Sequence, residues 1–229
     1  MPTNDLDQLM DQASLKLVKM QYLQAEALCQ QALQMAYDRK LWQYFARITL
    51  PLQECRRQRR MIAAEGYIVL GTDHLPNDAL QTLDALPAGC VVFTGKEAQT
   101  HAAQLLHGIQ KNPRHLLVLV ATTGADQWTM HSASQPNVSV SYPAPPSEWQ
   151  HTTMLPQAWP ELKTPCHWPT PGDWFLDALE KLGDEALKTA QSSVDKVQRV
   201  DELLSAMYAV TDHEILHQQL ARAATAMVH

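Results

Sequence analysis

From Leu6 to Ala36 apolar residues recur every three or four positions, the spacing that draws one stripe along a helix. The pattern restarts at Leu41 after the polar break Tyr37-Asp38-Arg39-Lys40. This predicts helices over residues 6–20 and 22–36 and a third from Trp42 to about Ala64. Pro51 falls inside the third, where its ring lacks an amide proton and crowds the preceding turn, so a kink or break is expected near Leu50.

The pattern changes at Gly66. Tyr67-Ile68-Val69-Leu70, Cys90-Val91-Val92-Phe93 and His115-Leu116-Leu117-Val118-Leu119-Val120 are short continuous apolar runs, as expected of strands covered on both faces. Residues 77–86 and 97–110 between them read as helices. The order β-α-β-α-β predicts a parallel sheet with right-handed crossovers. Val138-Ser139-Val140-Ser141-Tyr142 alternates, as an edge strand would. Residues 143–172 carry eight of the fourteen prolines together with Trp149, Trp159 and Trp168. That composition argues against regular structure and for an ordered strap whose tryptophans pack on the domain. Helical spacing returns over 173–190, 194–210 and 212–227. The predicted class is α/β: a helical unit over 1–64, a layer with a small parallel sheet of about four strands over 65–142, the strap over 143–172, and a C-terminal helical layer over 173–229.

In ASLKLVKMQYLQAEALCQQAL the small residues Ala13, Ala25 and Ala32 alternate with the larger Leu17, Tyr22 and Cys29. Small side chains at such positions let two antiparallel helices cross closely. The segment resembles one tetratricopeptide repeat, with Met20 standing at the turn where that family favours glycine. The resemblance covers about thirty residues. Trp42 and Ala46 begin a second unit, but Gln58 and Glu65 occupy positions where small residues are needed. One hairpin cannot bury its own face, so it must stack on another element. What the resemblance implies is a protein-binding surface.

Three patterns invite chemistry. His213-Glu214-Ile215-Leu216-His217 is a literal HExxH string, in which His213 and His217 on one helical face could bind zinc and Glu214 could act as base, the arrangement of a zinc-dependent hydrolase. Against this, His229 is the sole downstream histidine, Thr211 to Glu214 reads as a capping box, and both histidines flank the apolar stripe Leu216, Leu220, Ala223 and Met227. The second pattern is the set of strand-end loops, Gly71-Thr72-Asp73-His74, Thr94-Gly95-Lys96 and Thr122-Thr123-Gly124-Ala125-Asp126, where an α/β sheet would hold phosphate or a nucleotide. None matches a phosphate-loop motif, and strand-end loops need glycine for turning in any case. Arg56, Arg57, Arg59 and Arg60 form the third, a basic cluster able to touch phosphate or an acidic protein partner. The same arginines could instead face this chain's own acidic C-terminal helices, or water. Cys166-His167 is a poor nucleophile–base pair, because adjacent residues seldom point at one another.

Charge and cysteine content narrow the reading. Residues 1–60 hold nine basic against six acidic residues and residues 61–229 nine against eighteen, so a broad nucleic-acid-binding field is not expected. The four cysteines are far apart with no CxxC pair, pointing to reduced thiols and a cytoplasmic setting. The amino-terminal residues lack a basic region, and no apolar run approaches eighteen residues, so neither a signal peptide nor a membrane span is expected. The leading expectation is a non-catalytic protein-interaction or accessory module, without a cofactor, whose partner contact includes Arg56, Arg57, Arg59 and Arg60. The zinc hydrolase and the phosphate or nucleotide binder are the alternatives.

Overall fold

The computed structural model describes residues 4–73, 88–155, 158–190 and 193–228. The chain divides into a helical unit, residues 1–59 with 186–229, and an α/β unit, residues 60–185.

The helical unit starts with α1 (Asn4–Val18) and α2 (Tyr22–Asp38). Ala13, Ala25 and Ala32 are buried, as close helix approach requires. Met20 closes α1 with φ 56° and Lys40 closes α2 with the same φ. At each turn the next amide reaches back into the helix, Gln21 to the Lys16 carbonyl and Leu41 to the Ala36 carbonyl, both at 2.9 Å. The left-handed position that glycine would occupy without strain is thus filled twice by a long side chain.

Next comes α3 (Trp42–Ala64), which runs on through Pro51 and is not broken there. Pro51 cannot donate to the Arg47 carbonyl, yet Phe45, Ile48, Leu52 and Cys55 are fully buried on either side, and that burial holds the helix in one piece. The end of α5 (Pro171–Ala190), then α6 (Lys196–Ala209) and α7 (Glu214–Ala226) complete the unit. Asp195 caps α6 by accepting from the Gln198 amide. The cap of α7 is His213, whose Nδ1 accepts from the Leu216 amide at 3.3 Å. The capping box expected at Thr211 is therefore displaced by two residues.

In the α/β unit one six-stranded sheet runs β5-β4-β3-β2-β1-β6. Its strands are β1 (Tyr67–Thr72), β2 (Ala88–Phe93), β3 (His115–Thr122), β4 (Gln127–Ser132), β5 (Ser139–Pro143) and β6 (Thr153–Met154). The three apolar runs are the parallel centre, β1-β2-β3, and the alternating run is the edge strand β5. The sheet is nevertheless mixed: β4, β5 and β6 all pair antiparallel. The β4 strand has the half-buried alternation of Trp128, Met130 and Ser132, and β6 rises from the proline-rich segment, which also holds a 3-10 turn at Ser147–Trp149. That segment is thus less irregular than its composition suggests. The helix expected over 77–86 lies outside the described residues.

One sheet face packs under α4 (Ala98–Lys111), with Tyr67, Val91, Phe93, Leu116 and Val120 meeting Ala98, Ala102 and Leu105. Gly89 is required there because a Cβ would lie 2.4 Å from the Tyr67 ring. The α5 residues Trp174 and Phe175 are fully buried, and Trp174 sits edge-on to Trp128 and to Tyr142. Asp177 then accepts from the Tyr142 hydroxyl at 2.5 Å and from Trp168 Nε1 at 3.1 Å, fastening α5 and the proline-rich segment to β5. Among the described residues no helix is long and apolar enough to cross a membrane.

Candidate functional site

The arginine cluster and the HExxH string meet inside the helical unit. Arg56 is 1% exposed, and its Nε donates to Glu26 Oε1 at 3.0 Å. Its neighbour one turn on, Arg59, donates from Nη1 to Glu26 Oε2 at 2.9 Å and from Nη2 to both oxygens of Asp212 at 2.7 and 2.8 Å. Thr211 donates its hydroxyl to Asp212 Oδ2 at 2.6 Å. Burial pushes the Asp212 carboxyl up, but Arg59 and the Thr211 hydroxyl outweigh it and hold the group below the usual carboxylate range. The Arg59 guanidinium is likewise disfavoured by burial, and the Asp212 and Glu26 carboxylates more than restore it. Two positive and two negative groups are matched, three of them buried and Arg59 nearly so, the condition under which such burial is tolerated.

His217 completes this cluster. Its Nε2 lies 3.0 Å from Arg56 Nη1 and its Nδ1 2.9 Å from the His213 carbonyl oxygen. A guanidinium can only donate and a carbonyl can only accept, so the ring is neutral, with its proton on Nδ1 and its Nε2 lone pair taken by Arg56. Burial first, and the Arg56 charge second, push the ring's pKa down to about 3.

These contacts engage His217 Nε2 and His213 Nδ1, two of the ring nitrogens that zinc chemistry would draw on. His217 has no lone pair to give a metal, and the Nδ1 lone pair of His213 is spent on the helix cap. Glu214 points elsewhere, toward Arg57 Nε at 3.7 Å and Gln53 Nε2 at 3.5 Å. Among the described residues no group of three histidine, cysteine, aspartate or glutamate side chains is placed to hold a metal ion. The HEILH string is a helix start with a buried histidine one turn in, its His217 Nε2 and its Glu214 carboxylate both turned to partners within the chain.

Nor do the four arginines form one contact face. Arg56 and Arg59 point inward, and Arg60 belongs to the α/β unit, where it reaches Glu180 at 3.1 Å. Only Arg57 stays half-exposed, between Glu54 and Glu214. Physically, the two inward guanidiniums follow from where they stand: Arg56 lies four residues after Leu52, on the buried stripe of α3. The matching signal on α2 is Glu26, a carboxylate among the buried Ala25, Cys29 and Leu33. A charge on each of two facing apolar stripes was the mark of an internal pair.

The strand-end loops do come together at the carboxyl ends of the parallel strands. The Thr94 amide donates to the Thr72 carbonyl at 2.7 Å, and Gly95, at φ 87°, turns the chain beside Asp73. Thr94 is buried, whereas Lys96 and Thr122 through Asp126 are exposed. Thr122 Oγ1 contacts His131 Nε2 at 3.2 Å. His74 lies outside the described residues. In the proline-rich segment Cys166 donates to the Trp168 carbonyl at 3.1 Å.

A feature of another kind lies on the surface of the helical unit. Ala46, Arg47 and Leu50 of α3 and Ala221, Arg222 and Thr225 of α7 border an open, largely apolar groove of about 410 Å³. Its alanines are small, while Leu50 is 57% exposed. The sequence marks none of these as a contact residue, because each alone is an ordinary helix position and the two helices lie far apart in the chain.

Comparison with models of protein families, with curated proteins and with solved structures finds no match to this chain.

Proposed function

We propose that this protein is a non-catalytic interaction or accessory module whose contact surface lies on its helical unit, built around an amino-terminal hairpin of the tetratricopeptide-like kind. The observation that carries the reading is the α3–α7 groove, where apolar side chains and two arginines are presented to solvent. The residues most suggestive of catalysis, His213, Glu214 and His217, are engaged in internal contacts instead. An open groove between two helices receives side chains of another protein more readily than it encloses a small molecule, which needs most of its surface covered. Buried Ala13, Ala25 and Ala32 in the first hairpin support the repeat resemblance.

The test fills the groove. Ala221→Trp places an indole on its floor, and affinity capture is run with both proteins after circular dichroism has checked that the variant stays folded. A partner recovered by the wild type and lost from Ala221→Trp is the expected result. Identical recoveries from the two would remove the groove from the interaction.

A further inference from the structure

The α3–α7 groove has the chemistry of a seat for one kind of segment. We propose that it takes an acidic amphipathic helix from a partner protein, leucine-type side chains down and carboxylates toward Arg47 and Arg222. This rests on the interaction reading above and names the partner's class.

Shape comes first. Ala46 and Ala221 leave the floor between the two helices low, so that a third helix can lie close to both, and Leu50 offers it an exposed aliphatic wall. A volume of about 410 Å³ accepts a few large aliphatic side chains but is too open to retain them without a backbone spanning it.

Charge selects the occupant. Arg47 and Arg222 are both exposed at the groove, and among the described residues neither is paired with a carboxylate. Arg47 instead lies over the Tyr44 ring, 5.5 Å from its centroid, a contact that steadies the guanidinium without neutralising its charge. This contrasts with Arg56, Arg57, Arg59 and Arg60, each of which meets an acidic residue of the chain. The chain as a whole carries a formal charge of -6, but at physiological ionic strength charges beyond about 8 Å are largely screened, so the two local arginines govern what docks. A basic segment would bring like charges together at the groove, and a neutral one would leave both arginines unused.

The probe is a fluorescein-labelled helical peptide with leucines spaced three and four apart and glutamates on its flanks, titrated into the full-length protein and followed by anisotropy. Two control peptides replace the glutamates with glutamine or lysine. The glutamate peptide is expected to bind about tenfold or more tighter than the glutamine peptide and to weaken with salt. The Arg47→Glu/Arg222→Glu variant should reverse the order and prefer the lysine peptide, and Ala221→Trp should bind none; circular dichroism checks that both variants stay folded. Equal binding of the glutamate and glutamine peptides, abolished by Ala221→Trp, would overturn the acidic class while leaving the interaction reading in place. Binding of no peptide by the wild type would overturn both. A self-association in sedimentation that Ala221→Trp disrupts would give the groove to a second copy of this chain and likewise overturn the proposal.

Discussion

Arg56 Nη1 donates to His217 Nε2 at 3.0 Å, and that contact adds to burial in keeping the histidine neutral. With Arg56 already positive, a second positive charge on the ring would sit uncompensated, since Glu26 is taken by two guanidiniums and Asp212 by Arg59. The ring is therefore kept neutral down to a pH of about 3.

A pH dependence of stability follows. The His217 pKa is about 3 when folded, and about 6.5 is the ordinary value when unfolded. The native state binds fewer protons, so stability is full above about pH 6.5 and falls toward pH 3 at up to about 1.4 kcal/mol per unit. The depressed Asp212 carboxyl adds a loss only at lower pH, as the medium passes through the carboxylate range. His217→Gln keeps an acceptor for Arg56 without a titrating ring. Urea unfolding at pH 7, 6 and 5 should show a smaller acid loss in this variant than in the wild type. Parallel curves would mean that His217 takes up its proton equally in the native and unfolded states.

Breaking the ion cluster is expected to be expensive. Glu26→Ala strips Arg56 and Arg59 of a shared buried carboxylate, and leaving buried charge unmatched costs about 3–5 kcal/mol. Arg57→Ala removes a half-exposed pair with Glu54 and Glu214, worth about 1 kcal/mol at most. Denaturation midpoints of the two variants should differ accordingly, and similar midpoints would show that the cluster is hydrated.

The two left-handed turn residues should respond differently to glycine. Met20 is 74% exposed, so Met20→Gly relieves a conformation that costs about 1–2 kcal/mol while losing little packing. Part of that gain is returned as unfolded-state entropy, leaving about 0.5–1 kcal/mol of stabilisation. Lys40 shares the φ of 56°, but its ammonium lies 4.5 Å from the Tyr37 ring centroid and 5.4 Å from that of Trp42. Losing those contacts, at about 0.5–1 kcal/mol, makes Lys40→Gly close to neutral. Thermal melts of both variants check the contrast.

Thiol labelling separates the cysteines. Cys29, Cys55 and Cys90 are buried, and Cys166 alone is partly accessible. Ellman's reagent should therefore modify one thiol quickly in the native protein and four after denaturation, and Cys166→Ser should abolish the fast phase. A second fast thiol would show that the native protein opens around Cys29, Cys55 or Cys90.

Much of the fold could be read along the chain, for identifiable reasons. Leu6 to Ala36, the runs ending at Leu70, Phe93 and Val120, and the final helices each carry a long, one-sided or continuous apolar signal, and such signals survive in any context. The strands β4 and β6 do not stand out along the chain, because their signals are short. β4 carries only Trp128 and Met130 as large apolar residues, and β6 is two residues long, defined by its pairing with β1. Residue types likewise suggested the site without fixing its chemistry. HEILH specifies two histidines one helical turn apart, but whether their nitrogens face a metal, a cap or an arginine depends on what packs against them.

The α/β class, the amino-terminal hairpin, the parallel order of the three central strands and the edge position of β5 are all legible along the chain, because backbone periodicity and burial are written locally. Tertiary structure alone decided that Arg56 and Arg59 turn inward to Glu26 and Asp212 while Arg47 and Arg222 stay outside. Each inward arginine finds its partner on another part of the chain, up to 153 residues away, and electrostatic pairing acts through space.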